Sequence, residues 1–261
     1  MELFFNISRY FRYLFTAKTP HGVHSPFVFD FINNLLRDKT PFYAFGTLRK
    51  AREAFLSDNR TVTVTDFGSG GKSGLDKQLR IRHLAIRQAL PAKYANLLFR
   101  MVNHFQPEKV LELGTSLGLT TLHLAAANTK AKIITIEGSP GTSAIASELF
   151  EKYKAKSIEI RTGEFSDMLP GALESLERLD FLFADGNHRY LPTKKYFETV
   201  LPYCHAGSIL VFDDIHWSNE MERAWEEIRR HEKVTLSIDM FRLGILFFHD
   251  GRKAEHFTLR Y

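Results

Sequence analysis

Apolar and polar positions keep two different rhythms along the chain, and the change falls near Pro107. Before it the spacing is mainly helical. Residues 2–15 interleave Phe, Tyr and Leu with Arg and Asn, residues 27–36 form a second short helical pattern, and a charged helix follows over 47–55. Such stripes bury one face against their own domain or a partner subunit. Residues 61–67 alternate β-branched side chains and predict a short strand. Helical spacing returns over 79–105, where Pro91 opens the second part.

After Pro107, short apolar runs alternate with helical patterns. Strands are predicted at 109–113, 132–136, 157–161, 179–184, 208–212, 235–240 and 243–248. Helices are predicted at 119–127, 141–154, 167–177, 193–201 and 220–230. Strands and helices alternating at these lengths imply an α/β domain, with a parallel sheet covered on both faces. That domain is expected over residues 101–261, behind a helical N-terminal extension over residues 1–100.

Composition narrows the classes. The chain has 261 residues, 44% of them hydrophobic, and its 23 Phe supply ample material for an aromatic core. The formal net charge is +5, with Lys and Arg scattered among Asp and Glu, so nucleic acid is not an expected partner. Cys204 is the single cysteine, which excludes an internal disulfide. No apolar stretch approaches the length of a membrane span, and Arg9, Arg12 and Lys18 interrupt the first apolar region. The cytoplasm is the expected location.

Candidate chemistry lies at the strand ends, because ligands of open parallel sheets bind beyond the carboxyl ends of strands. The first strand leads into Glu112-Leu113-Gly114-Thr115-Ser116-Leu117-Gly118. Its glycines allow a sharp turn and close approach of a ligand to the backbone. A dinucleotide fingerprint would put glycines at 116 and 119, where Ser116 and Leu119 stand. The second strand ends at Glu137-Gly138, a place for a carboxylate that accepts two ribose hydroxyls; the alternative is a surface acid. Gly163-Glu164-Phe165-Ser166 offers an aromatic face and polar groups to a purine, or else a plain turn with a helix cap.

Further acids follow the fourth and fifth strands: Asp185, with His188 three residues on, and Asp213-Asp214. Crowded carboxylates repel unless they share a cation, and oxygen ligands at an open site suit Mg²⁺ or another divalent ion. His188 is placed to accept a proton from a substrate hydroxyl. His216 is a weaker candidate near the same acids. Upstream, residues 68–74 read Gly-Ser-Gly-Gly-Lys-Ser-Gly, yet Asp66 stands where a phosphate loop needs glycine, so the stretch reads as a mobile loop.

The succession Leu-Glu-Leu-Gly-x-x-x-Gly, Ile-Thr-Ile-Glu, Gly-x-x-x-Asp-x-x-Pro, Phe-x-Asp and Asp-Asp resembles the class I methyltransferases that use S-adenosylmethionine. More narrowly it is similar to their catechol-type, metal-dependent O-methyltransferase branch. The resemblance implies a Rossmann-like, doubly wound sheet of seven strands, mostly parallel, with an antiparallel C-terminal strand. It implies cofactor contacts at Glu112, Gly114, Thr115, Ser116, Gly118, Glu137, Gly138, Phe165, Ser166 and Asp185. Asp185, Asp213 and Asp214 would hold the divalent cation, Asp214 replacing the family's Asn, and His188 stands where the family has a catalytic lysine. The expected partner is a small molecule with a hydroxyl acceptor, and the extension is expected to cap the pocket or pair two subunits as a homodimer. Two rival readings are a metal-independent methyltransferase and an NAD-dependent dehydrogenase; a third is a binding module without catalysis.

Overall fold

Most of the apolar runs that follow Pro107 become strands whose side chains are buried on both faces, as expected of a parallel sheet covered by helices, while the strand over 158–162 stays largely open. The computed structural model describes residues 2–19, 22–66, 75–251 and 253–261, so the glycine-rich stretch 68–74 lies outside the described residues. In chain order the elements are α1 (Glu2–Thr16), α2 (Pro26–Phe31, continued by a π-helical turn Ile32–Leu36), α3 (Tyr43–Leu56), β1 (Thr61–Asp66), β2 (Leu75–Arg80), α4 (Ile81–Arg87) and α5 (Ala92–Phe105). They continue with β3 (Lys109–Leu113), α6 (Leu119–Ala127), β4 (Lys132–Glu137), α7 (Pro140–Lys152), β5 (Ile158–Thr162), α8 (Phe165–Leu176) and β6 (Leu179–Ala184). The last are α9 (Tyr190–Val200), β7 (Cys204–Phe212), α10 (Asn219–Ile228), β8 (Leu236–Asp239), β9 (Gly244–Phe247) and β10 (Glu255–Thr258).

These elements group into two units, one of residues 39–177 and one of residues 1–38 with 178–261. In the first unit β3, β4 and β5 run parallel in that order, with Leu113 opposite Ile136 and Glu137 opposite Thr162. Helices α3 to α7 build a core there around Leu48, Phe55, Phe99, Leu122 and Phe150. Gly141, in the first turn of α7, lets that helix approach β1 closely; a Cβ there would overlap the Thr63 carbonyl oxygen.

In the second unit the order is β6-β7-β9-β8-β10. β6 pairs parallel with β7 and β10 with β8, while β9 runs antiparallel to both β7 and β8. Trp225 of α10 is buried against this sheet at Gly244. Helix α10 starts cleanly because the Ser218 hydroxyl oxygen accepts the Met221 N–H at 3.1 Å, with Glu220 and Glu222 in its first turn.

The main sheet is mostly parallel, as expected, but has eight strands where seven are predicted. The extra strand is β10; the antiparallel strand is β9, the last of the seven expected from the sequence. β10 escapes a pattern reading because Phe257 is its one buried side chain, the mark of an edge strand. The second correction concerns residues 79–80, expected to be helical. They close β2, which pairs antiparallel with β1 in a separate two-stranded sheet. Its sequence Leu-Asp-Lys-Gln-Leu-Arg carries too few β-branched residues to announce a strand.

Candidate functional site

The loop after β3 is shaped by backbone conformation. Gly114, Ser116 and Gly118 have φ of 102°, 47° and 77°, so the chain enters the left-handed region at alternate residues before α6 begins. Glycine is needed at 118: a Cβ there would stand 2.8 Å from the Phe150 ring. Gly114 N–H donates to the Ile136 carbonyl at 2.9 Å and Gly118 N–H to the Thr115 carbonyl at 2.8 Å, which closes the loop on itself.

Glu137 crosses from the end of β4 to this loop. Its Oε2 accepts the Ser116 N–H at 2.7 Å, and its Oε1 accepts the Ser139 N–H at 2.9 Å and the Thr142 hydroxyl at 3.0 Å. Each carboxylate oxygen takes about two hydrogen bonds. Oε2 thus retains acceptor capacity beside the loop. The Ser116 hydroxyl is buried and finds no hydrogen-bond partner among the described residues, an open polar position in the same place. Gly138 follows on the half-buried turn, and the Gly163 N–H donates to the Glu137 carbonyl at 2.9 Å, tying in the loop before α8. Phe165 and Ser166 open α8, Phe165 half-buried and Ser166 exposed.

Glu112 and Thr115 lie beneath the loop. Glu112 is fully buried, and its Oε2 accepts the Thr135 hydroxyl at 2.6 Å and the Thr121 hydroxyl. The Thr115 and Thr135 hydroxyls pair at 2.6 Å. These side chains support the loop from below. The α6 helix also buries His123, whose Nδ1 lies 2.7 Å from the Leu119 carbonyl.

The other candidates sit at the ends of β6 and β7. Asp185 and His188 approach at 3.4 Å between Oδ1 and Nε2. Burial works against a charged His188, yet the bond to Asp185 and the charges of Asp185, Asp214 and Asp213 hold its pKa above the ordinary value. Between them Asn187 adopts φ 49°, donates to the Tyr196 hydroxyl at 3.2 Å, and keeps a buried Oδ1 without a partner among the described residues. Asp213 is fully buried and held by Arg242 through both oxygens, Nε to Oδ1 at 2.8 Å and Nη2 to Oδ2 at 2.6 Å. Nη2 also stands 3.5 Å from Asp214 Oδ1. Burial and then the charge of Asp185 push Asp213 above the usual carboxylate range, and Arg242 opposes them.

Behind this group, His216 Nε2 meets Asp239 Oδ2 at 2.8 Å and Arg9 bonds Glu222 and Asn219. Four participants were not singled out from the sequence: Arg242, Asn187, and Thr121 and Thr135 under the loop. Only Asn187 carried a local signal, lying between two chosen residues in Asp185-Gly-Asn-His188.

A Gly-shaped turn after the first parallel strand, with an acid after the next strand gripping it, defines an α/β domain built for a nucleotide-like cofactor. The comparisons show what this part of the chain is similar to. Residues 111–215 match the family described as "Methyltransferase domain". A catechol O-methyltransferase of Niastella koreensis is 31% identical over 126 residues, 47% of this chain and 55% of that protein. Catechol O-methyltransferase B of Danio rerio is 30% identical over 124 residues, 46% of this chain and 47% of that protein. The chain spans about half the length of these curated relatives. The fold is shared with the O-methyltransferase of Bacillus cereus crystallised with SAH, at a TM-score of 0.56 and 18% identity over 84% of this chain and 96% of that one. Residues 111–215 thus resemble the methyltransferase domain, the chain is similar to catechol O-methyltransferases over about half its length, and its fold is shared with a solved O-methyltransferase.

Among the described residues, no helix is long and apolar enough to cross a membrane, and no group of three His, Cys, Asp or Glu side chains is arranged to hold a metal ion.

Proposed function

We propose that the protein transfers a methyl group from S-adenosylmethionine to a hydroxyl of a small molecule. The observation that carries this reading is Glu137: its carboxylate ties down the Ser116 N–H and retains acceptor capacity beside an unpartnered buried hydroxyl. That chemistry fits a ligand with both hydroxyl donors and polar groups near the glycine turn. When bound, the cofactor supplies a methyl group on a positively charged sulfur, which departs as a neutral thioether.

Each remaining task falls to this chain. Gly114, Ser116 and Gly118 present backbone to the amino-acid part of the cofactor. Glu137 accepts ribose hydroxyls, and Gly138, Phe165 and Ser166 border the base. At the second cluster, His188 would take the proton of the acceptor hydroxyl. Asp185 orients the imidazole and stabilises its charged form. A divalent cation expected at Asp185, Asp213 and Asp214 does not fit these donors as they stand, because both Asp213 oxygens already accept from Arg242. No step is routed through one.

The reading is tested by calorimetric titration with S-adenosylmethionine, followed by an assay of methyl transfer to catechol as a probe acceptor. Saturable binding that Glu137→Ala abolishes supports it. A folded protein that binds no S-adenosylmethionine ends it.

A further inference from the structure

We infer that the Arg242 guanidinium is a built-in replacement for the divalent cation, neutralising the strand-end acids from within the chain so that the site works without added metal. The inference extends the proposed methyl transfer, and its first arm below does not depend on that reading.

The geometry is that of a planar fork on a carboxylate, the strongest ionic arrangement a side chain offers. Asp213 is fully buried, and Nε and Nη2 of Arg242 engage its two oxygens at 2.8 and 2.6 Å. The same Nη2 reaches toward Asp214 at 3.5 Å. One cation thereby serves two of the three acids, while His188 faces the third, Asp185. Mg²⁺ requires near-octahedral oxygen ligands at about 2.1 Å. To gain them at Asp213 it would have to displace a paired guanidinium and leave that charge half-buried beside its own.

The backbone holds Arg242 in place. It lies in the turn between β8 and β9, where Arg242 N–H donates to the Met240 carbonyl at 2.8 Å and Phe241 takes a φ of 68°. Its own carbonyl accepts the Ile215 N–H at 3.2 Å, clamping this turn to the loop that carries Asp213 and Asp214. The Phe241 N–H is held in turn by Asp239 Oδ1 at 2.8 Å. A side chain presented by so determined a turn is an integral part of the acid cluster.

The experiment follows equimolar Mn²⁺ by electron paramagnetic resonance together with thermal unfolding. The wild-type protein is expected to leave Mn²⁺ free and to keep its Tm and its transfer to catechol in EDTA. Arg242→Met should lower Tm by about 10 °C, the mark of a buried charge stripped of its partner. Asp213→Asn/Arg242→Met removes both charges, should recover at least half of that loss, and gives a folded comparison if the single variant does not accumulate. Mn²⁺ taken up by the wild type and released in Asp213→Asn overturns the inference. So does an Arg242→Met protein with unchanged Tm. Failure to bind S-adenosylmethionine would count against the methyl-transfer reading and leave the Mn²⁺ arm intact.

Discussion

Between residues 39 and 177 the carboxylates at the glycine loop are held by neutral donors, whereas between 178 and 261 the buried carboxylates are held by cations. Glu112 receives threonine hydroxyls, and Glu137 receives two backbone N–H groups and one hydroxyl. Asp213, Asp180 and Asp239 face Arg242, Arg178 and His216. The difference tracks what each place is asked to do. Neutral donors fix direction without cancelling charge, which leaves Glu137 the acceptor strength that the proposed function asks of it. Cations cancel charge, which lets several acids share a crowded, dehydrated space beside His188.

The largest expected effect lies in the cationic region. His188→Ala should lower kcat for transfer to catechol by about 10²–10⁴-fold, the usual worth of a positioned base, while leaving S-adenosylmethionine affinity unchanged. Equal losses in cofactor binding and turnover would instead make His188 a structural residue.

In the neutral region the corresponding disruption is milder. Thr135→Val removes one donor to Glu112 and the partner of the Thr115 hydroxyl, and should cost about 1–2 kcal/mol in urea unfolding. Because the bonds removed are made by a neutral hydroxyl, that cost should not vary with added salt. A strong salt dependence would mean that the loop's acids are not neutral-paired after all.

The smallest effects are in pH dependence, and the two regions should give opposite signs. Burial, only partly offset by the bond to the Leu119 carbonyl and assisted by the charge of Arg52, lowers His123 to about 4. Its share of stability is present above about pH 6.5, where the unfolded imidazole is neutral, and is lost as pH falls toward 4. Burial opposes charge at His216 too, but Asp239 and Glu222 outweigh it and raise the group to about 9. Its share is complete below about pH 6.5 and is lost as pH rises through 9. Profiles of Tm against pH for His123→Leu and His216→Gln should flatten on the acid and alkaline sides respectively. Unchanged slopes in either variant would show that the histidine is not coupled to folding.

Legibility from the sequence followed the same division between local and distant causes. Strands β3, β4, β6, β7 and β9 are buried apolar runs, so position and type could be read directly. β2 and β10 are short and polar, and only their partners make them strands. The glycine turn and Glu137 were legible because their spacing encodes one loop and one strand end. Arg242 was not, because its partner lies 29 positions away and the hairpin that aims it has no local signature. The inward role of Glu112 was hidden for a similar reason: its donors come from β4 and α6, not from its neighbours in sequence.

The most direct measurement is isothermal titration of S-adenosylmethionine into the wild-type protein and into Glu137→Ala. Saturable one-to-one binding to the wild type is expected, weakened at least about 100-fold by the loss of hydrogen bonds to a charged acceptor. Wild-type binding that survives the substitution intact would contradict the assignment of Glu137, and its absence from the wild type would contradict the whole account.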